Sequence, residues 1–80
     1  MHELGVLTQA LKRVQRAADE KNIKSIKTVV LEIGETSSFV PAYFAKLYPA
    51  ARELFPATAQ SELRMLMVPG PGLRIKEISY

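Results

Sequence analysis

The sequence contains no cysteine and a single histidine among its 80 residues. Without cysteine there are no disulfides, no thiolate zinc sites and no cysteine nucleophile. The chain start has no charged-then-apolar leader pattern. No apolar run approaches the roughly 20 residues that cross a bilayer, so a cytoplasmic protein is expected. Glu3, Glu32, Glu35 and Glu62 supply carboxylates, but no spacing sets two of them beside a cleft. The lone histidine has no orienting partner at a diagnostic distance, and no glycine loop of phosphate-binding spacing precedes a helix. An enzyme is therefore not expected. Net charge is +3 with a pI near 9.5. Lys21, Lys24 and Lys27 have no aromatic residues between them to stack on bases, so they read as a solvated loop and nucleic acid is not expected as a partner.

What is present is enough for one small domain spanning 1–80, with 48% hydrophobic residues to build a two-layer core. Leu4, Leu7, Leu11, Val14 and Ala18 recur at steps of three and four, which predicts a core-facing helix from Leu4 to about Asn22. Thr28 to Gly34 alternates Val29, Leu31 and Ile33 against Thr28 and Glu32, a strand pattern. Pro41 suits the first turn of a second helix carrying Phe44, Leu47, Tyr48, Ala51 and Leu54. Pro49 falls inside that pattern and predicts a kink, or two short helices meeting near Tyr48.

After a polar link, Glu62 to Val68 and Leu73 to Tyr80 read as two more strands. The turn Pro69-Gly70-Pro71-Gly72 between them predicts an antiparallel hairpin. The expected fold class is α+β: a three-stranded mixed β-sheet with two helices packed on one face, in the order α-β-α-β-β. Val30, Leu66 and Ile78 are expected on the open face, which makes a homodimer conceivable.

His2 stands beside the terminal amine. The amine of Met1 and the amide nitrogen of His2 close a five-membered ring on a metal ion. The same amide nitrogen and the imidazole close a six-membered ring. The Glu3 backbone nitrogen, the Glu3 carboxylate, water or a partner protein completes the set. Such nitrogen-rich planar donors suit Ni(II) or Cu(II). Taken alone, a histidine at a chain start is usually a solvated side chain or an ordinary helix-entry residue, and only the residues that follow favour the metal reading. Met65 and Met67 alternate on one strand face and fit flexible core filler.

Met1-His2-Glu3-Leu4, followed by an amphipathic helix, resembles the opening of the HypA/HybF family of nickel metallochaperones for hydrogenase maturation. Val30-Leu31-Glu32-Ile33-Gly34 is similar to the family's first strand. Ser38, Val40, Pro41 and Tyr43-Phe44 resemble the start of its second helix. Glu62-Leu63 with Val68-Pro69-Gly70, and Leu73 through Ile78, are similar to the strands that flank its zinc module. The resemblance implies nickel binding at Met1, His2 and Glu3, with Ni(II) held transiently. It implies delivery to a nickel enzyme such as nickel–iron hydrogenase. The implied partners are a GTPase accessory protein or the hydrogenase large subunit.

Two departures stand out. The paired Cys-x-x-Cys motifs of the zinc module are missing, and the turn 69–72 occupies their place, so no zinc is expected. Phe55 to Ser61 also differs from the family pattern. The alternative reading is a structural, protein-interaction or dimerisation module that has kept the fold without a metal cycle.

Overall fold

The computed structural model describes residues 2–80, and Met1 lies outside the described residues. The period-3.6 stripe forms α1 (Glu3–Glu20), which buries Leu7, Ala10, Leu11, Val14 and Ala18. Asn22 ends it in the left-handed conformation at φ 57°. The Ile23 N–H then reaches the Ala18 carbonyl at 2.8 Å, and the Asn22 N–H reaches that of Asp19 at 3.3 Å. These two bonds satisfy carbonyls that the helix end leaves open, in the manner of a Schellman turn. Leu4 departs from the expected stripe and is 49% exposed. Glu3 takes the buried place at this end instead, because its carboxylate finds a partner on the second helix.

That helix is α2 (Pro41–Ala51), with Pro41 at its first position. It buries Phe44, Tyr48 and Ala51 against α1 and the sheet. It runs through Pro49 without dividing at Tyr48, contrary to the expected break. Pro49 sits in the last turn, where a lost hydrogen bond and a strained carbonyl disturb little that follows. The irregularity comes later, as two short 3-10 turns at Arg52–Leu54 and Pro56–Thr58.

The strands are β1 (Thr28–Gly34), β2 (Glu62–Val68) and β3 (Leu73–Ser79). Their order in the sheet is β2-β1-β3. β1 pairs parallel with β2 and antiparallel with β3. The expected hairpin is therefore absent: β2 and β3 run in opposite directions but are separated by β1. The two flanking strands lie about 9.5 Å apart, two strand spacings. The link 69–72 covers this at about 3.3 Å per residue, so its length suits crossing β1 as well as a tight turn.

The link crosses where Gly34 closes β1. A Cβ on Gly34 would lie 2.2 Å from the Gly70 oxygen and 2.5 Å from the Pro71 carbonyl carbon. Gly72 O and Val68 O accept the N–H groups of Gly34 and Glu35, both at 2.8 Å, and Gly70 O accepts that of Thr36 at 3.1 Å.

Both helices cover the face of β1 that carries Val29, Leu31 and Ile33, all fully buried. Phe44, Leu7, Leu11, Leu31 and Ile33 form the centre. Burying each contributes about 1.5–3 kcal/mol relative to leaving it exposed. Val30 and Leu66 lie on the opposite, open face, as expected; Ile78 does not. The pairing of β1 with β3 slips between Val30 and Leu31, so that Lys76 is an extra residue and Ile78 faces Val29. This bulge turns Ile78 onto the core, where strict alternation would have put it outside. On the open face Arg74 pairs with Glu32 across the strands.

Candidate metal site

α1 begins at Glu3 and leaves His2 as the residue that precedes it. His2 has φ −116° and ψ 31°, outside the helical range, and is exposed. Its carbonyl accepts the Val6 N–H at 2.9 Å, which fixes its backbone to the first turn. Its imidazole makes no capping hydrogen bond to the helix. The N–H groups at a helix start have no acceptor within the helix. Amide nitrogens at positions 2 and 3 therefore give up no helical hydrogen bond if they turn to another role. The tip thus holds an uncommitted imidazole beside amide nitrogens that the helix does not use.

Glu3 is different. It is only 3% exposed, and its Oε2 accepts the Val40 N–H at 3.1 Å. Val40 is the residue before α2, and its own side chain does not cap that helix. A carboxylate from α1 therefore satisfies the backbone where α2 begins, as a helix's own third residue does in a capping box. A hydrogen bond with the terminal amine, and after it the Val40 N–H, hold the Glu3 carboxyl below the usual carboxylate range. Glu3 is thereby committed to the fold through its side chain.

Of the three residues expected at the site, His2 and Glu3 adjoin as the sequence requires, and Met1 lies outside the described residues. Among the described residues no three His, Cys, Asp or Glu side chains cluster to hold a metal ion. The donors expected at the tip are main-chain and terminal nitrogens with one imidazole. Such a set favours a planar arrangement over the oxygen-rich octahedra of Mg or Ca.

The tip opens on two sides. A groove of about 800 Å³ runs from His2 between α1 and β3, past Gly5, Val6, Gln9 and Arg13. A smaller hollow of about 340 Å³ lies among Leu4, Tyr43, Lys46 and Leu47. Sequence reasoning missed Val40 as the partner of Glu3, and missed the groove. One signal was available for Glu3: it stands four residues before Leu7, on the buried stripe of α1. The groove depends on which edge of the sheet lies beside α1, which no local pattern states.

No helix among the described residues is long and apolar enough to cross a membrane. No curated protein matches the chain. By structure the chain is similar to the solution structure of the Ni metallochaperone HypA from Helicobacter pylori, with a TM-score of 0.88 and 16% sequence identity. The match covers 99% of this chain and 97% of that one. At that identity the likeness establishes the shared fold. The family described as "Hydrogenase/urease nickel incorporation, metallochaperone, hypA" matches residues 1–77. With nearly the whole length matched, the chain belongs to the HypA family of nickel-incorporation metallochaperones, a family of metal carriers and not of enzymes.

Proposed function

We propose that this chain binds Ni(II) at its amino terminus and delivers it during maturation of a nickel enzyme such as nickel–iron hydrogenase. The observation that carries the reading is the free imidazole of His2, placed next to main-chain nitrogens that α1 leaves unused. The donors are the Met1 amine, the His2 amide nitrogen and imidazole, and a fourth position. The fourth donor is the Glu3 backbone nitrogen, the Glu3 carboxylate, water or a group of a partner protein, and the engagement of the carboxylate with Val40 weighs against the carboxylate. Weak coordination at an exposed tip serves transfer, because an incoming ligand from the recipient can replace the fourth donor. The recipients are maturation proteins, a GTPase accessory protein or the hydrogenase large subunit. The chain acts as one nickel-binding unit from 1 to 80, with the turn 69–72 standing where the wider family carries its zinc module.

Binding requires deprotonated donors, so affinity falls as pH drops. Calorimetry with Ni(II) on the chain as it starts, on His2→Ala, and on a chain extended by one residue before Met1 tests the site. Stoichiometric binding by the first, with loss in the other two, is expected. Equal affinity in all three removes the terminal site. A His2 ring resonance that does not move with excess Ni(II) at mildly alkaline pH ends the carrier reading altogether.

A second reading, a dimerisation module without a metal cycle, rests on the open sheet face with Val30 and the 41%-exposed Leu66. The turn of Ile78 into the core removes one of the three apolar residues that motivate it. A size that rises with concentration, together with no nickel affinity, would favour it.

A further inference from the structure

The groove beside His2 has an unusual wall. Gly72, Leu73, Arg74 and Ile75 all line it, four residues in a row. Side chains of a strand alternate between faces, so four consecutive residues share a wall only if the strand presents its edge. β3 is a terminal strand of the sheet and pairs with β1 alone. Its outer main-chain groups over this stretch therefore face the groove, next to the apolar side chains of Val6 and Phe39.

Natural edges are usually blunted. Here the far half of β3 is protected: the extra residue Lys76 bulges, and the exposed, charged Glu77 follows it. The near half, by His2, keeps regular pairing with β1 (Leu73 opposite Ile33, Arg74 opposite Glu32, Ile75 opposite Leu31). The other edge of the sheet offers less. β2 is followed by Pro69, which has no N–H to give, and the hollow beside it measures about 210 Å³.

We infer that a short extended segment of a partner protein, rich in carboxylates, adds to the regular half of β3 as a fourth strand and fills the groove against α1. Main-chain bonding to an exposed edge gives such a segment its hold, and alternate side chains enter the groove. The sign of the partner follows from the lining. Arg13 brings the positive charge on the α1 wall, Arg74 being already paired with Glu32 on the open face; no Asp or Glu is among the described lining residues, and the whole chain carries +3. One end of the added strand comes to rest beside His2. Docking itself needs no metal; only the consequence, that the segment meets the cargo, rests on the nickel reading above.

Gly5 supplies a clean probe. A Cβ placed on it meets nothing within 4 Å, because it opens onto the groove. Gly5→Gln should fold at least as well as the parent, since glycine is a poor helix former. Its side chain should nonetheless occupy the space the incoming strand needs.

The experiment uses the metal-free, isotope-labelled chain and an end-blocked hexapeptide of alternating glutamate and valine, at about 1 mM, a range where weak strand addition is visible. Amide resonances of Leu73 to Ile75, Val6 and Gln9 are expected to shift, with slowed amide exchange along that stretch of β3. The lysine–valine counterpart and Gly5→Gln should each show affinity about tenfold or more lower. No shifts at β3, shifts along β2 instead, equal binding of the lysine peptide, or undiminished binding by a folded Gly5→Gln would each overturn the inference. A nickel titration of Gly5→Gln separates the two readings, since loss of docking with intact nickel binding implicates the groove alone.

Discussion

The amino-terminal tip and the connection between α2 and β2 make an instructive pair. Both are short and place polar side chains at the margins of the helices and strands. In the connection the polar side chains are spent on one another. Thr58 and Ser61 are fully buried. The Ser61 hydroxyl donates to the Thr58 carbonyl at 2.7 Å, so the Tyr48 hydroxyl donates to Ser61 Oγ at 2.6 Å. Thr58 Oγ1 donates to the Arg52 carbonyl at 2.9 Å, and the Arg52 guanidinium donates to the Ser61 carbonyl at 2.8 Å. Gln15 of α1 accepts the Ala57 N–H, which binds the connection to the first helix. At the tip Glu3 is spent in the same way, but the His2 imidazole is left over. Arg52 Nε is buried without a partner, but it is sealed within the connection; the His2 imidazole is both unspent and exposed, which makes it the candidate for chemistry.

The largest test of this contrast is Ser61→Ala. It strands the buried Tyr48 hydroxyl and removes one of the two donors to the Thr58 carbonyl, which keeps the residue 61 N–H. Chemical denaturation should show a loss of about 2–3 kcal/mol, the cost of burying unpaired polar groups. Nickel titration of the same variant should be unchanged. A loss under about 0.5 kcal/mol, the size of an ordinary surface change, would mean the connection is not fastened as described.

Next in size is the alkaline limb of stability. Burial pushes the Tyr48 hydroxyl above its ordinary value. A group whose folded pKa is raised holds its proton more tightly in the fold. Its contribution is full below the unfolded value of 10 and fades as pH climbs beyond it. Tyr48→Phe should cost about 1 kcal/mol at neutral pH, one hydrogen bond, and should flatten the fall above pH 10. Parallel curves for parent and variant would contradict this.

Glu3 brings the contrast to the tip. Its pKa is lowered, so its contribution is present above the usual carboxylate value of 4.5 and is lost as pH falls toward the folded value. Glu3→Gln keeps an acceptor for the Val40 N–H but cannot titrate. The difference in urea midpoint between parent and variant should shrink on acidification below that value. A constant difference would show that the charge at Glu3 is irrelevant to the fold. The smallest effect belongs to His2→Ala, which should move stability by no more than about 0.5 kcal/mol, as for an exposed residue without partners. A substantial loss would mean that His2, too, is a fastening.

Much of this architecture is legible in local patterns. The spacing of Leu7, Leu11, Val14 and Ala18 marks α1, and the alternation of Val29, Leu31 and Ile33 marks β1 to its observed limits. What local patterns do not carry is adjacency. A four-residue link serves a hairpin or a crossing over a neighbouring strand, and only the pairing of β1 decides between them. The bulge at Lys76 is hidden for a related reason: its cause is the register against Val30 and Leu31, which no reading of β3 alone contains. Thr58 and Ser61 look like loop residues by type, yet their partners in Arg52 and Tyr48 draw them inside. His2 was conspicuous because it is unique. The role of Glu3 was not, since a carboxylate at a helix start has an ordinary explanation in the helix dipole.

The crossing over Gly34 carries one more consequence. Gly72 and His2 border the same groove, so the loop that bridges the outer strands ends next door to the start of the chain. Main-chain bonds from Gly34 and Glu35 clamp the two feet of that loop, Gly72 and Val68, at the end of the central strand. Evolution can therefore lengthen, shorten or replace what stands on those feet without disturbing the layers beneath. Whatever module it mounts there is delivered, by the geometry of the bridge, into the neighbourhood of the first residues.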